Sequence, residues 1–211
     1  NKVRLLAPII PRSKVVCVGK NYADHAAEMG GVVPEEPIIF LKPNTSVIGP
    51  NDTIVWPEMS ERVDHEAELA IVIGRICKDV PKERVNDVIF GYTIANDVTA
   101  RDLQKKDGQW TRAKGFDTFC PIGPWIDTDF VPGTQKITAT IAGEVKQSAQ
   151  ISDMIFDVPT IINFVSRVMT LLPGDVILTG TPAGIGPMVA GEKATMAIEG
   201  LGELTNKLSA R

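Results

Sequence analysis

The chain has 211 residues, of which 44% are hydrophobic and 23% are charged, and its formal net charge is −4. This composition is typical of a globular protein that buries a core without disulfides, and the lack of a basic run argues against a nucleic-acid partner. No apolar stretch approaches the roughly 18 residues that a membrane helix needs, so no membrane partner is expected. The three cysteines are widely spaced, which argues against a thiolate zinc site. A reducing compartment, the cytoplasm, is the predicted location.

Short β-branched and apolar runs, bounded by Gly, Pro, Asn or Asp, dominate the chain. They predict strands at Lys14–Gly19, Pro37–Leu41, Thr53–Trp56, Glu66–Gly74, Ile89–Asp97, Ile137–Ala142, Val176–Thr179, Ala194–Glu199 and Glu203–Lys207. Helical patterns are fewer and predict helices at Tyr22–Met29, Val80–Val88, Thr99–Lys106 and Val158–Leu171. Strands do not alternate with long helices, so a doubly wound parallel sheet is not expected. The predicted architecture is one β-rich α+β domain over residues 1–211.

Glu66 and Glu68 begin the apolar run that ends at Gly74. Side chains on a strand alternate between faces, so the two acids point the same way. Two buried carboxylates on one face are costly unless they are paired or bind a metal, so this strand end is either solvated or faces a positive group. Asp97 ends another apolar run and completes an oxygen-only set of the kind that Mg²⁺ and Mn²⁺ prefer. The alternatives are that Asp97 caps the next helix and that the glutamates face solvent.

His25 and Glu28 are three residues apart in a segment that reads as a short helix, so they lie on one face. A carboxylate beside an imidazole orients the ring and raises its basicity, which predicts a general base; an incidental surface pair is the alternative. His65 points away from the two glutamates and is expected to be structural or at the surface. Lys114 is either a solvated lysine or, if it lies near the carboxylates, a charge that helps to hold an anionic substrate.

The strand at Val176–Thr179 is followed by a glycine-rich loop at Gly180–Pro187. Its glycines fit neither the dinucleotide-binding pattern nor the P-loop pattern. Backbone N–H groups in such a loop form a concavity that binds anions, and an ordinary tight turn is the alternative.

Several motifs, in order and taken together, resemble the catalytic domain of the fumarylacetoacetate hydrolase family. They cover roughly the whole chain and are Val16–His25, Phe40–Pro43, Glu66-x-Glu68, Asn96–Asp102, Trp110-x-x-x-Lys114 and Leu178–Pro182. The similarity is greatest to the branch with acylpyruvases, oxaloacetate decarboxylases and the isomerase/decarboxylases of homoprotocatechuate breakdown. The resemblance implies a mixed β-roll with few helices and a homodimer.

The resemblance also implies residue roles. It implies that Glu66, Glu68 and Asp97 hold Mg²⁺ or Mn²⁺. It implies that His25 and Glu28 activate water on a segment that closes over bound ligand. The positions that it implies for contact with substrate are Gln104, Lys114, Gly180 and Thr181.

The activity that these features predict is metal-dependent cleavage of a C–C bond in a 2-oxo acid, through a stabilised enolate. The cleavage would be acylpyruvate hydrolysis or oxaloacetate decarboxylation. One alternative is an isomerase of the 2-hydroxyhepta-2,4-diene-1,7-dioate type, and another is a non-catalytic module that binds a metal or an anion. The residues of the pocket walls, for which Phe116 and Met188 are candidates, would select the substrate.

Overall fold

The structure is a computed structural model that describes residues 3–210. In chain order, strands β1 to β15 are Val15–Gly19, Ile38–Lys42, Val47–Ile48, Thr53–Ile54, Val63–His65, Ala67–Ile73, Ile89–Asn96, Thr99–Ala100, Cys120–Asp127, Lys136–Ile141, Glu144–Gln150, Val176–Leu178, Gly186–Pro187, Lys193–Ile198 and Gly202–Leu208. Helices α1 to α4 are Ala23–Glu28, Arg101–Asp107, Thr111–Lys114 and Val158–Val168. Short 3₁₀ helices lie at Asn44–Ser46, Lys82–Asp87 and Ile151–Asp153.

These strands form a seven-stranded sheet in the order β2-β1-β12-β6-β7-β9-β3 and a five-stranded sheet in the order β11-β10-β14-β15-β4. A small third sheet has the order β13-β5-β8. The seven-stranded sheet is mixed, because β1 pairs in parallel with β12 whereas β6 pairs antiparallel with both β12 and β7. The β-rich α+β fold predicted from the sequence is therefore confirmed. Each helix in the described part of the chain is too short or too polar to span a bilayer.

Strand β6 is buried on both of its faces. Leu69, Ile71 and Ile73 enter the larger hydrophobic cluster, whereas Ala70 and Val72 enter a second cluster on the other face of the sheet. Burial on both faces explains why this strand reads as a continuous apolar run rather than as an alternating one. The strand therefore gives a rigid support to the acidic residues at its beginning.

The longest helix, α4, begins where the sequence predicts. Asp157 is its N-cap residue and accepts a hydrogen bond from Thr160 N at 2.9 Å, which satisfies one of the unpaired N–H groups of the first turn. Val158, Ile161, Ile162 and Val165 form its buried face. The helix ends at Val168, three residues before the predicted end.

Several predicted elements were wrong or missing. The helix predicted at Val80–Val88 is a 3₁₀ helix at Lys82–Asp87, and Thr99 belongs to a short strand, so α2 begins at Arg101. The prediction also omitted six strands, which are the short strands β3, β5, β8 and β13 and the longer strands β9 and β11. Strand β9 contains Gly123 and Pro124, which normally interrupt strands, and β11 is a mostly exposed, polar strand at a sheet edge, so neither shows a clear apolar pattern.

Candidate metal centre and active site

Three carboxylates meet at one end of the β6–β7 pair. Glu66 immediately precedes β6, Glu68 is the second residue of β6, and Asp97 follows β7. The antiparallel pairing of Ala67 with Asn96 brings these positions together. Asp97 N donates to Glu66 O at 2.9 Å, and Glu66 N donates to Asn96 Oδ1 at 2.9 Å. One carboxylate oxygen from each acid lies within 4.8 Å of the others.

The three acids are buried, with exposed fractions of 4% for Glu66, 1% for Glu68 and 1% for Asp97. The alternative that the glutamates face solvent is therefore wrong. Asp97 does not cap a helix either, because Ala100 occupies the N-cap position of α2. Three buried acids this close together require positive charge nearby.

Three buried cations supply part of that charge. Lys114 Nζ donates to Glu66 Oε2 at 2.8 Å and to Asp97 Oδ2 at 2.6 Å. Lys42 Nζ donates to Asp97 Oδ1 at 2.6 Å. Arg101 pairs with the other oxygen of Glu66. Lys114 is only 2% exposed, so the alternative that it is a solvated surface lysine is wrong.

Glu68 differs from its two neighbours. Its Oε2 accepts a hydrogen bond from Gly180 N at 2.6 Å, but no lysine, arginine or histidine within residues 3–210 forms an ion pair with it. A buried carboxylate without a cation is expensive. A hard divalent ion such as Mg²⁺ or Mn²⁺ fits this place, because all the donors are carboxylate oxygens and one of them lacks a counter-charge.

The pKa shifts also distinguish Glu68, which has no ion pair, from Glu66, which has two. Burial raises the pKa of Glu68 well above its ordinary value, and the charges of Asp97 and Glu66 raise it further. Burial acts in the same direction on Glu66, but Lys114 and Arg101 outweigh it and hold the pKa of Glu66 below its ordinary value. Glu66 is therefore already ionised, whereas Glu68 gains most from a cation.

His25 and Glu28 form the contact that their spacing predicts. Nδ1 of His25 and Oε2 of Glu28 are 3.2 Å apart, and the other oxygen of Glu28 accepts a hydrogen bond from Gly184 N at 3.1 Å. His25 is buried whereas Glu28 is exposed, so the histidine of this pair does not lie on a free surface. When Nδ1–H donates to the carboxylate, Nε2 is left as the proton acceptor, an assignment that follows from the hydrogen bond.

One cavity joins these groups. It is lined by the three acids, by His25, Arg101 and Lys114, and by Val18, Gly19, Lys20, Met29, Phe40, Gln104, Trp110 and Thr181. Its volume is about 30 Å³, which fits roughly one or two water molecules. A 2-oxo acid is larger, so its entry requires one wall to move.

The loop after β12 forms another wall and is attached to β6. Thr181 Oγ1 donates to Ala67 O at 2.9 Å and accepts a hydrogen bond from Gln147 Nε2 at 2.7 Å. The carboxamide oxygen of Gln147 accepts from Ala67 N at 2.9 Å, so this glutamine links the two segments. Gly180 has φ 97°, and a Cβ there would lie 2.6 Å from the Asn21 Cβ, so the turn requires glycine.

Sequence reasoning did not assign a role to Lys42, Arg101 or Gln147. Lys42 ends an apolar strand, and this pattern could have indicated a buried, functional lysine. Gln147 lies on a polar edge strand, where no sequence pattern distinguishes it from its neighbours. Neither Phe116 nor Met188 lines the cavity: Phe116 packs against another aromatic ring and Met188 belongs to the core. The remaining histidine, His65, is 1% exposed and is not among the residues lining this cavity.

Comparison with known proteins identifies relatives of this arrangement. The family model described as fumarylacetoacetate (FAA) hydrolase C-terminal matches residues 14–209. The chain is 48% identical over 198 residues to the mitochondrial oxaloacetate tautomerase FAHD1 of Arabidopsis thaliana, across 91% of this chain and 89% of that protein.

Two solved structures are also similar. The 2-hydroxyhepta-2,4-diene-1,7-dioate isomerase of Mycobacterium marinum is 57% identical, with a TM-score of 0.91 over 98% of this chain and 77% of that one. The fumarylpyruvate hydrolase of Pseudomonas aeruginosa, solved with Mn²⁺ and pyruvate, is 32% identical, with a TM-score of 0.88 over 100% of both chains. These named relatives are enzymes.

Proposed function

Because the chain belongs to the fumarylacetoacetate hydrolase family, we propose that it is a divalent-metal-dependent enzyme that forms the enolate of a 2-oxo acid. One observation carries this proposal. The buried carboxylates of Glu66, Glu68 and Asp97 share a cavity with the His25–Glu28 pair, so a cation site and a proton acceptor face the same space.

The named relatives support an enolate as the shared intermediate. Tautomerisation of oxaloacetate moves a proton between C3 and the C2 oxygen. Isomerisation of a hydroxydienoate moves a proton along the chain, and cleavage of fumarylpyruvate releases pyruvate, which leaves as its enolate. Each reaction places negative charge on the C2 oxygen, so one site that stabilises this charge serves all of them.

Glu66, Glu68 and Asp97 would hold Mg²⁺ or Mn²⁺, which when bound supplies a Lewis acid for the negative charge that develops on substrate oxygens. His25 Nε2 takes a proton from the substrate carbon or returns it, while Glu28 holds the ring in the required tautomer. Lys114 forms ion pairs with Glu66 and Asp97 and offsets part of their charge. Phe40 and Trp110 contribute apolar walls that exclude water from the enolate.

Substrate contacts are proposed for Gln104, Lys114, Gly180 and Thr181, as the family resemblance implies. The Thr181 hydroxyl donates its proton to Ala67 O, so a substrate carboxylate would be met by the Thr181 backbone N–H. A homodimer and a cytoplasmic location stay predictions, and the Arabidopsis relative is named as mitochondrial.

Keto–enol conversion of oxaloacetate, followed by ultraviolet absorbance, tests the proposal. Mg²⁺ or Mn²⁺ should support the conversion, EDTA should abolish it, and His25→Gln should slow it by roughly 10²- to 10⁴-fold. Asp24→Asn, on the exposed side of α1, is the matched control and should leave the rate unchanged. Full activity in a rigorously metal-free preparation would falsify the proposal.

Cleavage of a C–C bond is the second candidate, because His25, a group that can activate water, lines the same cavity as the three carboxylates. Acetylpyruvate and fumarylpyruvate are the substrates for this test, with oxaloacetate decarboxylation as the internal comparison. His25→Gln should strongly reduce hydrolysis, which needs an attacking water, and should reduce decarboxylation less. Equal losses in both reactions would count against water activation by His25.

A further inference from the structure

Lys20 is a cation of the cavity without a partner. The side chain is half-buried and lines the cavity, yet within residues 3–210 it makes no hydrogen bond or ion pair. The other cations in contact with the carboxylates, Lys42, Arg101 and Lys114, are each paired with at least one acid. Lys20 therefore contributes a positive charge to the cavity that no acidic side chain within residues 3–210 neutralises.

The backbone of Lys20 is also unusual. Its φ is 56°, in the left-handed region that glycine or asparagine adopts more easily than a lysine. Such conformations concentrate at ligand-binding sites, where a particular side chain is required in spite of the strain. A glycine at this position would make the turn from β1 to α1 with less strain, so the turn alone does not explain the lysine.

The ammonium group lies at the border between the cavity and the segment after α1. A Cβ added to Gly31 would lie 2.5 Å from Lys20 Nζ, so the ammonium group is packed against the backbone of Gly31. Met29, from the same segment, and Trp110 line the cavity beside it. Lys20 thus lies at the wall formed by the α1 segment, whereas the acidic cluster is held by β6 and β7.

We propose that Lys20 binds the remote carboxylate of the substrate, and that the enzyme therefore prefers 2-oxo dicarboxylates to 2-oxo monocarboxylates. This inference rests on the proposed function. The 2-oxo acid end of the substrate would lie towards Glu66, Glu68 and Asp97, which leaves the second carboxylate for an unpaired cation elsewhere on the cavity wall. The contact is non-covalent and changes binding rather than the chemical step.

Steady-state kinetics with oxaloacetate and with acetylpyruvate, which lacks a remote carboxylate, test the inference. Lys20→Met should raise KM for oxaloacetate about tenfold, as expected for the loss of a hydrogen bond to a charged group, with a smaller change in kcat. KM for acetylpyruvate should stay within about twofold, because neutral groups do not depend on this charge. Lys20→Arg should restore most of the affinity for oxaloacetate. An equal change for the two substrates, or none for oxaloacetate, would overturn the inference.

Two further variants separate binding from a structural role. Lys20→Gly removes the charge and also relieves the left-handed strain, so the melting temperature should be equal or higher while KM for oxaloacetate still rises. A wild-type KM in Lys20→Gly would overturn the inference. Lys207→Met, which removes an exposed lysine outside the cavity, is the control for the change in net charge and should match the wild type.

Failure of the proposed function gives a different result. If the wild-type protein loaded with Mn²⁺ turns over neither substrate, the proposed function fails, and calorimetry with freshly dissolved oxaloacetate then measures binding without enzymatic turnover. A dissociation constant about tenfold weaker in Lys20→Met than in the wild type would still support the assignment of Lys20. Equal dissociation constants would overturn it.

Discussion

Two buried carboxylate sites lie at opposite ends of strand β12. Asp175 immediately precedes β12 and accepts five hydrogen bonds at 2.6–3.3 Å, from Ser13 N and Oγ, Lys14 N and Nζ, and Leu172 N. At the other end, Gly180 N donates to the Glu68 carboxylate, and this is the one hydrogen bond to that carboxylate found within residues 3–210. Both carboxylates are buried, but the fold satisfies Asp175 completely and Glu68 only in part.

The difference separates a structural acid from the acid for which we propose a role in metal binding. The hydrogen bonds to Asp175 join the segment before β1 to the start of β12, so this carboxylate fastens two strands of the main sheet. Glu68 lies against two other acids, and none of the ion pairs formed within residues 3–210 includes it. Burial alone therefore does not identify a functional acid, whereas burial with incomplete compensation does.

The largest effect on function is expected from Glu68→Gln. The variant should lower turnover by more than about 100-fold. Replacing a residue that hydrogen-bonds a metal ligand typically costs about 10- to 100-fold, and replacing the ligand itself should cost more. The metal-free protein should be no less stable than the wild type, because the change removes a charge from a crowded, buried group. Urea unfolding in EDTA checks the stability. Retained turnover would show that Glu68, like Asp175, has a structural role only.

Asp175→Asn should have the opposite effects: it should lower stability and leave metal binding unchanged. We expect a loss of about 2–4 kcal/mol in the free energy of unfolding, because the amide cannot accept all the donors and the Lys14 charge loses its partner. Affinity for Mn²⁺ should stay unchanged. Asp87→Asn is the matched control, because Asp87 is 52% exposed and its replacement should shift stability by less than about 0.5 kcal/mol.

The pH dependence of stability sharpens the comparison further. Burial raises the pKa of Asp175, but the hydrogen bonds from Lys14, Ser13 and Leu172 outweigh it, and the pKa in the folded protein is lowered. Its stabilisation is complete above the unfolded pKa of about 3.9 and is lost as the pH falls through the lower, folded pKa. The stability gap between the wild type and Asp175→Asn should therefore narrow on acidification. A gap that is constant between about pH 6 and pH 3 would contradict this account.

Ser13→Ala should have the smallest of these effects. It removes one of the two Ser13 hydrogen bonds to Asp175 and leaves the Lys14 ion pair in place. The expected cost is about 1 kcal/mol in urea unfolding, with turnover unchanged. A loss as large as that of Asp175→Asn would mean that the hydroxyl, and not the lysine, carries most of the compensation.

The sequence predicted the acidic cluster because its signal is local. Glu66 and Glu68 interrupt an apolar strand, and their spacing places them on one face whatever the rest of the fold does. Asp97 was joined to them by its place at the end of another apolar run and by the family resemblance, and the pairing of β6 with β7 brings it beside them. The contact between His25 and Glu28 was likewise predictable from helical spacing alone.

The missing parts depend on long-range contacts. Lys42 reaches Asp97 from the edge strand β2, and Arg101 reaches Glu66 from α2. No spacing rule joins either residue to the acid that it pairs with. Gln147 approaches from a strand of the five-stranded sheet, 80 residues away from its partner Ala67. Strand β9 was missed because its Gly123-Pro124 pair resembles a turn. Local patterns therefore predicted the acids, and three-dimensional packing was needed to find the groups that compensate them.

The most direct test of the central claim is the binding of Mn²⁺ to wild type, Glu68→Gln and Asp175→Asn, measured by calorimetry on metal-free protein. The wild type and Asp175→Asn should bind one ion per chain with equal affinity, and Glu68→Gln should bind none at the same concentrations. Wild-type affinity in Glu68→Gln would contradict the claim that the uncompensated carboxylate marks the metal site.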